Sequence, residues 1–235
     1  IMAFDECSDP YDKEYVREAM IRTHQWAERC QQAKQRTDQA LFGIVQGGIF
    51  EDLRQESAEF IASLDFPGNA IGGLSVGETK QEMHTILDLV DQVLPENKPR
   101  YLMGVGTPED LVSGISRGVD IFDCVLPTRL ARHNAAMIRY GDRLNIVNAK
   151  FAQDAQPIDH QCTCYCCQNF SRAYIRHLAI SKEMLAATLL SIHNLHTMIS
   201  LAADIRQAIF EGDFDEFADH FFQVRTERGF DQDSN

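Results

Sequence analysis

Short apolar runs alternate with longer amphipathic stretches through the first half of the chain. Met2–Phe4, Ala40–Val45, Asn69–Ile71, Arg100–Met103 and Val119–Val125 read as buried strands, each brief, apolar and bounded by turn residues. Between them, Tyr11–Gln35, Glu51–Leu64, Gln81–Leu94 and Thr107–Arg117 repeat apolar positions at helical spacing. The last of these opens with Thr-Pro-Glu-Asp, which supplies a cap, a first-turn proline and two acids against the helix dipole. Strands alternating with helices predict a parallel sheet of βα units, and a Rossmann-type sheet and a (β/α)8 barrel both fit that order. Five strands do not close a barrel, so the barrel reading calls for further strands before Ile1.

After Pro127 the pattern changes. Thr128–Asp159 is polar and basic, with short β-like pieces at Ala135–Arg139 and Leu144–Val147. A cysteine cluster follows, and Ser171–Ile180 and Lys182–Phe210 read as helices. Phe214–Asn235 is acidic and aromatic, with its last residues expected to be loose.

Composition narrows the class. The 235 residues are 44% hydrophobic and 24% charged, the balance of a globular chain. No apolar run approaches the ~18 residues of a membrane span, and no basic-then-apolar leader opens the sequence. A cytoplasmic protein with no membrane partner is the expectation. The formal charge of −13 argues against a general nucleic-acid binder. That charge is unevenly spread. Val125–Leu185 holds 8 Lys+Arg against 4 Asp+Glu, or +4, and the remainder holds 14 against 31, or −17. A solvated face accounts for such a window, and so does an RNA-backbone site.

Polar residues gather at the C-terminal ends of the predicted strands, the edge where parallel βα folds bind ligands. Asp5-Glu6-Cys7, Gln46-Gly47-Gly48, Gly72-Gly73-Leu74-Ser75-Val76-Gly77-Glu78, Gly104-Val105-Gly106 and Asp123-Cys124 all fall there. Asp123 lies in an otherwise apolar stretch, where a carboxylate is costly unless paired or employed. A half-buried Asp at a strand end can attack an anomeric carbon, as in retaining glycosidases. Asp5 reads equally as a second carboxylate of that edge or as a helix N-cap. Gln46 with the Gly72-Gly73 turn suggests a purine site. The amide and a backbone N–H donate to a carbonyl such as guanine O6, while a carboxylate accepts from N1–H and the exocyclic amine.

Seven cysteines are present, and Cys162, Cys164, Cys166 and Cys167 fall within six residues, too close for a disulfide framework. With helical His193 and His196 they suggest a closed three-cysteine, one-histidine zinc site of structural type, though spacing alone leaves the choice of thiols open.

The segments FDEC (4–7), FGIVQGG (42–48), GGLSVGE (72–78), YLMGVGTPEDL (101–111), FDCVLPTR (122–129), CTCYCCQNFSRAY (162–174) and SIHNLH (191–196) together resemble the queuine tRNA-ribosyltransferases, the tRNA-guanine transglycosylases, over nearly the whole chain. The resemblance implies an α/β (β/α)8 TIM-type barrel, of which this chain holds about the last five strands, with an inserted zinc subdomain. It implies exchange of wobble guanine, position 34 of GUN-anticodon tRNAs, for a 7-deazaguanine. Asp123 matches the nucleophile that attacks ribose C1′ and forms a covalent Asp–ribose intermediate. Asp5, Gln46 and Gly73 match the residues that hold the purine edge. The Leu74 carbonyl matches the acceptor of an aminomethyl group, and Met103 matches an apolar wall. Thr128, Arg129 and Arg132 match anticodon-loop contacts. Cys162, Cys164, Cys167 and His193 match the ligands of one structural Zn2+, leaving Cys166 as an extra thiol. Cys7 and Val76 look like the bacterial form of the pocket, which favours 7-aminomethyl-7-deazaguanine (preQ1) over queuine. The family's homodimer is expected.

On this reading residues 1–127 form a partial barrel with active-site loops, 128–200 a basic zinc-binding, RNA-contacting subdomain, and 201–235 a helical segment closing on the barrel. The family's first strands, its general-base Asp and its purine-stacking aromatic have no counterpart in this sequence, which begins at about the fourth strand. Taken alone such a chain is expected to expose a sheet edge and to be insoluble or inactive; restored at its N-terminus it is expected to be active. Competing readings are an inactive fragment or non-catalytic RNA-binding or partner subunit of the same family, and an unrelated zinc hydrolase. The hydrolase requires an open metal position that a closed site lacks.

Overall fold

The computed structural model describes residues 1–141 and 143–232, with side chains to Glu227. Asp142 and residues 233–235 of the expected C-terminal segment lie outside the described residues. The chain divides into two compact units, Ile1–Cys124 and Val125–Asn235.

In the first unit, α1 (Lys13–Ala33), α2 (Glu51–Ser63), α3 (Lys80–Val93) and α4 (Pro108–Ile115) alternate with β1 (Phe42–Val45), β2 (Gly68–Ile71), β3 (Arg100–Leu102) and β4 (Ile121–Phe122). The four strands form one parallel sheet in the order β1-β2-β3-β4. Helix starts are chemically marked. Asp12 caps α1, and capping boxes pair Thr79 with Glu82 on α3 and Thr107 with Asp110 on α4.

Register sorts the side chains. Val45, Ile71, Leu102 and Phe122 align across the sheet. They pack with Ala58, Ile61, Met83, Ile86, Leu87 and Val90 in a core beneath α2 and α3. Ile44, Ala70, Tyr101 and Ile121 align on the opposite face. Two residues further along each strand direction, the pleat brings Gln46, Gly72, Met103 and Asp123 to that same face at the C-terminal edge.

Two predicted strands shrink. Met2–Phe4 makes only a parallel bridge between Met2 and Phe42, because the chain then turns Asp5 inward. Val119–Val125 keeps two ladder residues. Val119 N–H still donates to Gly114 O at the end of α4, and α5 begins at Leu126.

The second unit holds α5 (Leu126–Arg132), a hairpin of β5 (Ala135–Ala136) with β6 (Leu144–Asn145), a 3-10 turn at Ala149–Phe151, α6 (Tyr165–Asn169), α7 (Arg172–Ile180), α8 (Met184–Glu211) and α9 (Phe214–Gln232). Its core joins Ala131, Ala136, Ile146, Phe151, Ile158, Ile175, Leu189 and Leu190. Sequence pattern did not find α5, whose start is set by Pro127 in a segment that reads as polar loop. α8 runs unbroken through residues 200 and 201, so the segment 201–235 starts inside a helix. α8 is long and apolar enough to cross a membrane by length and composition, but its Ala186, Leu189 and Leu190 belong to this unit's core.

Candidate functional site

Gln46 follows β1 as a buried residue, 3% exposed, and its Nε2 donates to Asp5 Oδ2 at 2.6 Å. Asp5 therefore does not cap a helix; Asp12 does that for α1. The neighbouring Glu6 anchors the segment to α1 through Arg22 and Tyr15, which hold its carboxyl down at about 2. The Gln46 N–H donates to Ser57 Oγ at 3.1 Å, and Ser57 Oγ lies 3.0 Å from His24 Nε2. His24 stacks on Phe60, and burial lowers its pKa to about 4.

The Gly72–Gly73 turn after β2 packs directly on the Gln46 amide. A Cβ at Gly72 would lie 2.6 Å from Gln46 Nε2, and one at Gly73 would collide with Gln46 Oε1. Gly73 also has φ +63°, which favours glycine. Its N–H has no acceptor among the described residues. Leu74 buries its side chain in the core, and its carbonyl accepts no hydrogen bond from the described residues. Val76 is 43% exposed in a loop pinned by Glu78, whose carboxylate accepts the Ser75 and Val76 N–H groups. Cys7 is exposed, and its thiol is raised by burial of the sulfur and by the Asp5 carboxylate. Met103 is half-buried.

Asp123 is exposed, not half-buried as its apolar sequence neighbours suggested. Alternation turns it away from the helix-covered face, and the polar atoms it needs come from β3 and the turn after it. Tyr101 Oη donates to Asp123 Oδ1 at 2.6 Å, and the Gly104 N–H donates to the same oxygen at 2.8 Å. Oδ2 accepts no hydrogen bond from the described residues. Burial and the bond to Asp123 push Tyr101 up to about 12, so the phenol stays a donor. One oxygen is thus held by two donors and the other is left open.

In the second unit, ligand atoms of Cys162, Cys164, Cys167 and His193 lie within 4.8 Å of one another and could hold a metal ion. His193 Nδ1 is 3.5, 3.7 and 3.3 Å from the Sγ atoms of Cys162, Cys164 and Cys167. His193 Nε2 donates to Met137 O at 2.9 Å, which aims Nδ1 at the sulfurs. Cys167 and His193 hydrogen bonds hold the Cys162 thiol down at about 3. Cys166 is outside the group; burial and the charges of Cys164 and Cys162 push its thiol up to about 12.

Arg129 and Arg132 share one exposed face of α5 and make no ion pair among the described residues, whereas Arg139 pairs with Asp204 and Arg172 with Asp154. Thr128 closes the first turn onto Val125 O. Asn194, adjacent to His193, donates to Pro127 O and Ala135 O and accepts from the Met137 N–H, tying α5 to the metal-ligand helix.

Sequence reasoning missed Tyr101, Asn194 and Arg54. For Arg54 a signal existed: it falls on the stripe of Ser57, Ala58 and Ile61, all buried on α2.

A family model described as Queuine tRNA-ribosyltransferase matches residues 1–227. The chain is 53% identical over 224 residues to the queuine tRNA-ribosyltransferase of Desulforamulus reducens, 95% of this chain and 60% of the relative. It is 54% identical over 225 residues to that of Synechococcus elongatus and 55% identical over 225 to that of a Thermoanaerobacter species, covering 58% and 60% of those chains. The chain thus spans about three-fifths of the length of these curated relatives.

Proposed function

Because the chain belongs to the queuine tRNA-ribosyltransferase family, we propose that it carries the nucleophile, base pocket and metal site of a tRNA-guanine transglycosylase. The supporting observation is Asp123, gripped through Oδ1 on the same sheet face and edge as Gln46, with Oδ2 open. In this reading the parallel sheet belongs to a (β/α)8 barrel.

The wobble guanosine of a GUN-anticodon tRNA leaves its stack to enter the pocket. Gln46 and the Gly73 N–H donate to the purine 6-carbonyl, and Asp5 accepts from N1–H and the 2-amino group. Asp123 Oδ2 forms a bond to ribose C1′ as the C1′–N9 bond breaks and the electron pair leaves with guanine, which takes up a proton. PreQ1 then loses its N9 proton, attacks C1′ and releases Asp123. The Leu74 carbonyl receives its aminomethyl group, Met103 walls the pocket, and Cys7 and Val76 shape it for this small substituent. Thr128, Arg129 and Arg132 contact the anticodon loop.

The four clustered ligands fit Zn2+. Tetrahedral zinc with Zn–S of about 2.3 Å and Zn–N of about 2.0 Å sets S···N near 3.5 Å, and the distances from His193 Nδ1 scatter around that value. Four protein ligands close the site, so the ion supports the fold around α5 and α8 and takes no part in base exchange. A homodimer acting in the cytoplasm completes the reading.

The test is exchange of labelled guanine into cognate tRNA by the full-length chain. Asp123→Asn is expected to abolish the covalent RNA adduct on denaturing gels; a surviving adduct rules Asp123 out. Val76→Gly is expected to admit queuine, and no uptake would refute the assignment of Val76.

A further inference from the structure

Arg54 is fully buried on α2, 0% exposed, and makes no ion pair among the described residues. Its guanidinium instead reaches four backbone carbonyls. Nε donates to Gly48 O at 2.7 Å, one terminal nitrogen to Gly72 O at 2.8 Å and Val45 O at 3.2 Å, and the other to Gly73 O at 3.0 Å. These carbonyls belong to the two strand-end turns that carry Gln46 and Gly73. Val45 O also accepts the Gly72 N–H at 3.0 Å, so the turns are stitched together at Arg54. Burial pulls the guanidinium down to about 10, which leaves it cationic at neutral pH.

A buried cation without a carboxylate is costly, and an apolar side chain of similar volume would pack the same stripe. Peptide geometry gives it a use. In a trans peptide the C=O and N–H point in opposite directions, and the chain has no cis peptide among its described residues. Arg54 holds the carbonyl end of the Gly72–Gly73 peptide, so the Gly73 N–H points away from it, with no protein acceptor. An ionised donor on the carbonyl polarises the peptide and strengthens the opposite N–H.

We propose that Arg54 is a positioning residue for base exchange: through the Gly72 carbonyl it aims and polarises the Gly73 N–H that receives the purine 6-carbonyl. This rests on the reading of Gln46 and Gly73 as a purine site. As the C1′–N9 bond breaks, the departing electron pair delocalises toward the purine 6-oxygen. A donor aimed at that oxygen binds tighter in the transition state than in the ground state.

The test uses the full-length chain with Arg54→Lys, which keeps the charge but not the fork, and Arg54→Met, which keeps only the bulk. Guanine exchange is measured alongside inhibition constants for guanine and 6-thioguanine, whose sulfur is a weak acceptor at the same position. Wild type is expected to prefer guanine. Arg54→Met is expected to lose about 10-fold to 100-fold, chiefly in kcat, and to bind the two bases nearly equally, with Arg54→Lys between. A folded variant that keeps both kcat and base preference within about threefold overturns the proposal. So does failure of both variants to melt cooperatively, which would make Arg54 a folding residue only. Failure of the purine reading shows separately, as a wild type that exchanges no guanine or does not distinguish the two bases.

Discussion

Replacing Gly73 by alanine separates backbone strain from damage to the proposed base pocket. Gly73 sits at φ +63°, where an L-residue costs about 1–2 kcal/mol. The new methyl would also strike Gln46 Oε1, in a side chain that is buried and bonded to Asp5 at 2.6 Å. Gln46 has to rotate, which breaks a bond to a carboxylate and, in the proposed purine site, removes one of two donors to the 6-carbonyl. Loss of one such donor lowers rate about 100-fold to 1,000-fold, or roughly 3–4 kcal/mol. Gly212 provides the control. It ends α8 at φ +83° with open space around the position of a Cβ, so Gly212→Ala imposes similar strain without collision. In chemical denaturation of the full-length chain, Gly212→Ala is expected to lose about 1–2 kcal/mol and Gly73→Ala more, because it also loses the Gln46–Asp5 bond. Only Gly73→Ala should lose guanine exchange. Equal exchange rates in the two variants would refute the close-packing argument.

Cys167→Ser or His193→Ala should drop bound metal from about one ion per chain toward zero by elemental analysis, and should destabilise the second unit by several kcal/mol; Cys166→Ser should keep the ion. Lowered from 6.5 to about 4, His24 favours its neutral form in the folded state. Its contribution is fully present above pH 6.5 and is lost as pH falls toward 4. Allowing for its solvated edge, about 2 kcal/mol should vanish across that window, and the difference between wild type and His24→Gln in denaturation at stepped pH should show it. Arg129→Ala and Arg132→Ala should each weaken tRNA binding and reduce the slope of log affinity against log salt by about 0.7–0.9. An unchanged slope would remove them from the RNA contact.

Periodicity carried the first unit well, because each strand of its sheet is short and three of its four helices have a marked start, at Asp12, Thr79 and Thr107. It overran β4, since the apolar residues of Val119–Val125 serve a turn, two ladder positions and the entry to α5. The thiol choice could not be settled by spacing. In three dimensions it follows from the start of α6, where Cys164 accepts the Cys167 N–H and Cys166 turns into the core. The meeting of Gln46 with the glycine pair was legible in the sequence, but the groups that brace them were not. Tyr101 reads as an ordinary strand aromatic until register sets it next to Asp123, and Arg54 reads as surface charge unless the helical stripe is followed through it.

The two-residue alternation that brings Gln46, Met103 and Asp123 to one face has a consequence for how such a chain can diverge. Point substitutions leave the pleat intact, and strand positions facing the helices can drift among apolar residues. A single-residue insertion or deletion inside β1, β3 or β4 is different, since it turns everything beyond it to the other face. In a library of in-frame indels, single-residue changes in these strands should be purged while those in the connecting turns survive. The edge that bears Gln46 and Asp123 is thereby locked to chain length within its strands more tightly than to most of the residues that compose them.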